Sequence, residues 1–267
     1  WTYKRAAEDV AAVASWLVAH GIEPGDRVAV AMRNYPEWML AHWAINAIGA
    51  VVVGMNAWWV ADELAYALED SAPKLLLADA RRLATFAEIA DRFPTLRAVA
   101  VRAPDSPIAA TPWEEVVAQS GTATLPDVTI EPDSEAMIFY TSGTTGRPKG
   151  AQLTHRSCVA NIMNVAAMGR IYATTQALSR GADLTEAISP PVPSALIATP
   201  LFHVTANNCV LQGGTVAGGK AVLMYKWDPI EAMKLIEAEQ LTTLSAVPMM
   251  TRELLAPLHH TPTAERV

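Results

Sequence analysis

Cysteine is nearly missing from this chain. Cys158 and Cys209 are the only two among 267 residues. They lie far apart, and neither belongs to a Cys-x-x-Cys pair or to a Cys/His cluster with metal-ligand spacing, which excludes a disulfide framework and a zinc module. Both are expected to be reduced core thiols. Charge is also sparse, at 18% of residues, and 20 basic against 27 acidic side chains leave a net charge of -7. That balance speaks against wrapping nucleic acid or an anionic membrane, so an anion site has to be built locally. Long apolar runs are lacking as well. The most apolar stretch, 41–55, holds His42 and Asn46, is too short to span a bilayer, and is not preceded by the basic segment of a signal peptide. A cytoplasmic location without a transmembrane segment is therefore expected. There is no fixed-period repeat to indicate a solenoid. An initiator methionine is missing too, because Trp1, Thr2 and Tyr3 run at once into a helical pattern. The natural chain is expected to begin upstream.

What is present is apolar bulk, 51% of the residues, enough for a full core in one large domain or two subdomains. Ala6, Val10, Val13, Ala14, Leu17 and Val18 follow helical spacing until Gly21 and Pro24 stop the helix. Strands are then expected at 27–32, 50–55, 74–79 and 96–102, alternating with helices at 36–48, 61–70 and 81–93. Residues 103–133 are rich in Pro, Thr and Ser, with a helical turn or two near 113–119, and read as a surface connection. Alternation resumes with strands at 136–140, 195–199, 221–225 and 242–246. The helices between and after them are expected at 154–168, 203–216, 229–239 and 248–258. Short apolar strands alternating with helices indicate an α/β fold with largely parallel sheets flanked by helices. The expected division is into subdomains 1–133 and 134–267. Between Gly169 and Ser194, Gly181, Pro190, Pro191 and Pro193 among small polar residues predict an exposed loop.

The sharpest local signal is Tyr140-Thr141-Ser142-Gly143-Thr144-Thr145-Gly146-Arg147-Pro148-Lys149-Gly150, which follows the expected strand and precedes the expected helix near Thr154. Glycines let backbone N–H groups approach an anion, the hydroxyls of Thr141, Ser142, Thr144 and Thr145 add donors, and Lys149 adds a full charge. Gly143 and Gly146 suit the bend, and Pro148 restricts the segment that presents Lys149. Composition alone leaves two readings open, a phosphate cradle and a solvated Ser/Thr/Gly turn. A second string, Gly214 to Ala221, comes close to G-x-x-x-x-G-K-[ST]. It fails because Ala221 has no hydroxyl for magnesium and because it runs from helix to strand. Trp38, Trp43, Trp58 and Trp59 read as packing aromatics rather than ligand-stacking platforms.

The order of residues 140–150 resembles the phosphate loop of the adenylate-forming superfamily, which includes acyl- and aryl-CoA synthetases, luciferases and peptide-synthetase adenylation domains. The resemblance covers essentially the whole chain. Trp1-Thr2-Tyr3 is similar to the family's opening motif, Gly25-Asp26-Arg27-Val28-Ala29 to its GDRVA segment, and residues 49–59 to the stretch after its second helix. Pro200-Leu201-Phe202-His203-Val204 resembles the PLFH motif of acyl-CoA synthetases, whose histidine lines the acyl pocket. Without the resemblance, a lone histidine after a strand reads as a capping or core residue. His155 holds the family's position after the loop, where it is expected to support it. Trp227-Asp228-Pro229 and residues 243–248 resemble fatty-acyl-CoA synthetases more than luciferases.

The resemblance implies the N-terminal domain of the adenylate-forming fold and a two-step reaction. A carboxylic acid, expected to be a fatty acid, attacks ATP to give an acyl adenylate and pyrophosphate, and coenzyme A then takes the acyl group as a thioester. By that resemblance Thr141, Ser142, Gly143, Thr144, Thr145, Gly146 and Lys149 hold the β- and γ-phosphates, Thr141 is a hydroxyl ligand of Mg²⁺, and His203 is the catalytic-site residue shaping the acyl wall. No YGxTE-like or YxTGD-like motif, hinge or C-terminal catalytic-lysine subdomain is found in these residues. The expectation is accordingly a truncated piece, inactive alone, with exposed apolar edges and a tendency to self-associate. Two alternatives stay open: a non-catalytic ATP-binding or interaction module, and a fatty-acyl-AMP ligase that uses a carrier-protein thiol.

Overall fold

Thr2 opens the first helix, its hydroxyl oxygen accepting from the Arg5 amide at 3.2 Å. Helix α1 (Tyr3–Ala19) buries Ala11, Ala12, Val13, Ala14 and Leu17, and the chain turns at Gly21, φ 77°, a conformation that favours glycine. The structure, a computed structural model, describes residues 1–141, 146–183 and 192–260. Strands β1 (Arg27–Ala31), β2 (Val51–Gly54), β3 (Leu75–Asp79) and β4 (Arg97–Val101) are almost wholly buried. They alternate with α2 (Pro36–Ala47), α3 (Ala61–Ser71) and α4 (Ala80–Ala87). Buried on both faces, such strands carry continuous apolar sequence, as Val51–Val53 and Leu75–Leu77 do. Pro36 stands in the first turn of α2, where its missing N–H removes no helical bond.

Among the described residues the first sheet has seven strands in the order β5-β4-β3-β1-β2-β6-β7. Here β5 is Thr111–Pro112, β6 is Glu135–Thr141 and β7 is Lys149–Thr154. All neighbours are parallel except β7, which runs antiparallel to β6. The core joins β2 and β3 to the inner face of α3 and α4 through Val51, Val53, Leu64, Leu68, Leu76 and Phe86.

The second sheet has β8 at its centre in the order β10-β8-β9, again parallel. Its strands are β8 (Ser194–Ile197), β9 (Lys220–Leu223) and β10 (Thr243–Ser245). Helix α8 (Pro229–Ala238) begins with Asp228 as its cap, the carboxylate accepting from the Glu231 amide at 2.8 Å, and α9 covers Pro248–His260. Leu196, Ala198, Met224 and Ala232 form this unit's core, with Trp227 and Leu235 packed on it.

Several expectations need correction. The chain divides into two compact units, Trp1–Val159 with Leu201–His203, and Ala160–Pro200 with Val204–Val267. The division therefore falls within a helix rather than after residue 133, because β6 and β7 extend the first sheet. The connection 103–133 contains β5, paired with β4, and a single short helix, α5 (Trp113–Val116). Helix α4 stops at Ala87, and a 3₁₀ turn at Ala90–Arg92 replaces its expected continuation. Helix α6 (His155–Ser179) runs through the first part of the expected loop. Gly169 costs a helix about 1 kcal/mol and does not by itself end one. Residues 184–191 of that loop lie outside the described residues. The helix expected at 203–216 is a π-helix, Thr205–Gln212, followed by α7 (Gly213–Val216).

Candidate active site

The strand order reverses beside β1: the chain passes from β1 to β2 on one side, then crosses to β3 on the other. Open α/β sheets bind ligands outside the carboxyl ends of their strands at such a reversal. Three buried polar groups organise this edge. Asp79, the last residue of β3, caps α4 by accepting from the Arg82 amide at 3.1 Å. Its other oxygen accepts from the Arg33 amide just after β1, also at 3.1 Å. Arg82 pairs with Asp79 at 3.0 Å, and its Nε donates to the Ala57 carbonyl at 2.8 Å. This fixes the loop that carries Trp58 and Trp59. Asn34 then accepts from the Leu201 amide at 2.9 Å.

That bond anchors the segment bearing His203. Phe202 is buried and meets the edge of Trp58 at 5.1 Å. Gly54, ending β2, makes room for it: a Cβ there would lie 2.6 Å from the Phe139 ring and 3.3 Å from the Phe202 carbonyl oxygen. His203 is thus held, solvent-exposed, on the same unit as β6. Trp58 is 58% exposed, with the Arg33 guanidinium over its ring at 5.0 Å, so it is a surface aromatic and not a core one. Trp38 is fully buried as expected.

The phosphate-loop string forms a hairpin rather than a strand-to-helix turn. Thr141 and Lys149 are register partners at the ends of β6 and β7, and both are exposed. The Thr141 hydroxyl donates to the Lys149 carbonyl at a long 3.4 Å. Gly146 takes φ 98° with open space where a side chain would stand. Strand pairing therefore brings Thr141 and Lys149 together, whereas Gly146 lies outside both strands and His203 is positioned separately. Ser142, Gly143, Thr144 and Thr145 lie outside the described residues.

At the base of the hairpin the Tyr140 hydroxyl donates to Asp70 Oδ2 at 2.7 Å. Burial, and then the Asp70 carboxylate, push its pKa well above the usual tyrosine value. The Arg147 guanidinium lies over the Tyr66 ring at 5.1 Å. His155 follows β7, and its amide donates to the Ser134 carbonyl at 3.1 Å, which ties it to the foot of β6. Burial lowers its pKa. It also lowers that of fully buried His42 to about 3, with His155 adding to the shift. Neither imidazole supplies positive charge near neutral pH.

The second unit holds an apolar cavity of about 520 Å³ lined by Ile162, Val165, Ile197, Val210 and Leu211 among others. Cys209 also lines it and is exposed, while Cys158 is buried, so only one of the two thiols is in the core. The rejected glycine-rich string runs from α7 to β9, turns at Gly218 with φ 68°, and commits its lysine: Lys220 pairs with Glu239 at 2.6 Å. Among the described residues no three His, Cys, Asp or Glu side chains gather as a metal cage. A Mg²⁺ carried by a nucleotide takes most of its ligands from phosphates and waters, with one or two carboxylates from the protein; the exposed Thr141 hydroxyl would add one oxygen donor. No helix among the described residues is long and apolar enough to cross a membrane.

Asn34, Asp79, Arg82, Tyr66 and Asp70 were not legible as site residues. Only Asp79 had a local signal, an aspartate between a strand and a helix. The other partnerships span tens of residues and leave no periodic trace.

A model of the family described as AMP-binding enzyme matches residues 1–266. A feruloyl-CoA synthase of Amycolatopsis sp. is 31% identical over 255 residues, covering 96% of this chain and 45% of that protein. A long-chain-fatty-acid–CoA ligase of Mycobacterium bovis is 35% identical over 209 residues, covering 77% of this chain and 32% of that protein. ATP-bound MatB from Rhodopseudomonas palustris superposes with a TM-score of 0.73 at 27% identity, covering 96% of this chain and 46% of that one. The chain therefore spans less than half the length of these relatives.

Proposed function

Since this chain belongs to the AMP-binding enzyme family, we propose that its protein activates a carboxylic acid with ATP and passes the acyl group to coenzyme A. The observation that carries this reading is the hairpin. It presents an exposed hydroxyl and an exposed ammonium, Thr141 and Lys149, from paired strands at the carboxyl edge of a sheet whose order reverses nearby. A carboxylate approaching a triphosphate meets repulsion, and catalysis requires positive charge and N–H donors fixed where charge builds up on the departing pyrophosphate. Lys149 and the backbone from Thr141 to Gly146 supply that binding. Mg²⁺, when bound, neutralises phosphate charge, with the Thr141 hydroxyl as its protein ligand. The acid oxygen attacks the α-phosphorus as pyrophosphate leaves, and the thiol sulfur then attacks the acyl carbon as AMP leaves.

The acid is an apolar one, and a fatty acid fits best. The cavity of the second unit is apolar along most of its wall, and hydrocarbon burial contributes about 0.8 kcal/mol per methylene. Independently of that cavity, the resemblance of residues 200–204 to the acyl-CoA synthetase motif supports His203 as an acyl-wall residue. The protein acts as a fatty-acid–CoA ligase, an acid–thiol ligase whose partners are the acid, ATP and CoA.

ATP–pyrophosphate exchange tests this on protein expressed from its full reading frame, with acids from acetate to long-chain fatty acids and ferulate. Exchange is expected to rise with chain length and to fall about 100-fold in Lys149→Ala, the scale of a lost charge-stabilising donor. ATP binding with no exchange for any acid would make the protein a nucleotide-binding module instead.

A further inference from the structure

We propose that helix α3 is the positioning element of the phosphate hairpin, gripping it on both sides of its turn through Asp70 and Tyr66. Tyr66 and Asp70 are one helical turn apart and share a face of α3. Asp70 accepts from Tyr140 at 2.7 Å, on the strand entering the turn, and Tyr66 lies under Arg147, with 5.1 Å from guanidinium to ring centroid, on the segment leaving it. The two contacts therefore bracket residues 141–146. A third contact closes the arrangement: the Tyr140 ring meets Trp59 edge-on at 5.4 Å, and Trp59 packs against the first core.

Helix α3 is suited to this task. Leu64, Ala65, Ala67 and Leu68 are buried in the core, and the Glu63 carboxylate accepts from the Val60 amide at 3.2 Å to close its first turn. The Tyr140 oxygen also lies 3.1 Å from the Ala67 carbonyl, so two acceptors of α3 fix the direction of one phenol. A hydrogen bond to a carboxylate is about twice as strong as a neutral one. The Tyr66 ring gives Arg147 a fixed place, and a cation over an aromatic face is held by the ring quadrupole.

The consequence concerns ATP affinity. A lysine whose strand is already held in place loses less conformational freedom on meeting a polyanion, and restraint of its neighbours reduces that cost. Arg147 stands two residues from Lys149, so holding its charge against Tyr66 also fixes the approach of the lysine strand. Tyr66 and Asp70 act through the hairpin and not on the nucleotide. This inference rests on the reading of the hairpin as the ATP site.

The test measures ATP affinity, together with KM for ATP and for acid, in protein expressed from its full reading frame. Tyr66→Leu and Asp70→Asn are each expected to raise KM for ATP about 5- to 10-fold while KM for the acid stays constant. Tyr66→Phe keeps the ring face and is expected to restore most of the ATP affinity lost in Tyr66→Leu. The effects of Tyr66→Leu and Arg147→Ala are expected to be non-additive in the double variant. Unchanged ATP affinity in Tyr66→Leu and Asp70→Asn, with loss in Lys149→Ala, would overturn the role of α3 alone. Full additivity of Tyr66→Leu and Arg147→Ala would also overturn it, by showing that Arg147 meets the nucleotide directly. Wild-type ATP affinity in Lys149→Ala would overturn the hairpin reading itself. Since Tyr66 is half-buried and Asp70 exposed, thermal melts within a few degrees of wild type are expected for these variants.

Discussion

Gly54 is where the smallest side chain has the largest positional effect. It lies at the end of β2 in register with Phe139, and a Cβ there would stand 2.6 Å from the Phe139 ring. Gly54→Ala is expected to destabilise the protein by about 1–3 kcal/mol, the cost of forcing a packed core apart. It is also expected to weaken whatever depends on the Phe202 backbone, and urea melts beside ATP-binding measurements check both effects. His42 acts through charge. Its folded value of about 3 lies below the ordinary 6.5, so below pH 6.5 the unfolded chain binds a proton that the folded chain refuses. Stability therefore falls as pH drops from 6.5 toward 3, by up to about 1.4 kcal/mol per pH unit for this group. His155 is shifted in the same direction by burial and adds to the loss. Asp9 acts only at the acid end of this window: burial opposes its charge, but hydrogen bonds from Ser120, Trp1 and Arg5 outweigh it and hold its carboxyl below 3.8, so its contribution is lost only as pH falls through 3.8. Between pH 6.5 and 5 the His42 shift alone is expected to lower wild-type stability by roughly 1.5 kcal/mol, seen in melts at the two pH values, and His42→Gln is expected to remove a large part of that difference.

At the scale of elements, the junction of β3 and α4 governs the site edge. Asp79 caps α4, receives the Arg33 amide and neutralises buried Arg82, which in turn holds the Ala57 carbonyl. Asp79→Ala leaves a buried cation without its partner and is expected to cost about 3–5 kcal/mol. Adding Arg82→Met is expected to recover part of this, as a double-mutant cycle by chemical denaturation will show. The strands around this junction were legible because Val51–Val53 and Leu75–Leu77 are buried on both faces and leave unbroken apolar runs. Strand β7 was not. Its residues, Lys149 to Thr154, are exposed or partly exposed, and a polar edge strand beginning at Lys-Gly resembles a loop in composition. The hairpin string was recognisable by residue order, yet its geometry, strand to strand before the helix, was not. Helix α6 extends past 168 to Ser179 because Gly181 and the prolines at 190, 191 and 193, which indicate a loop, all lie beyond that end.

At the scale of the whole molecule, each of the two units has its own feature bearing on the proposed chemistry. The unit of the large sheet presents the hairpin and His203, and the other holds the apolar cavity. The activity proposed for this member of the AMP-binding family has the acid activated through its own oxygen. The most direct test uses a fatty acid carrying ¹⁸O in its carboxyl group, with ATP, Mg²⁺ and coenzyme A, on protein expressed from its full reading frame. Mass spectrometry of the nucleotide product is predicted to find AMP carrying one ¹⁸O. Unlabelled AMP, or ADP and orthophosphate in place of AMP and pyrophosphate, would contradict the account.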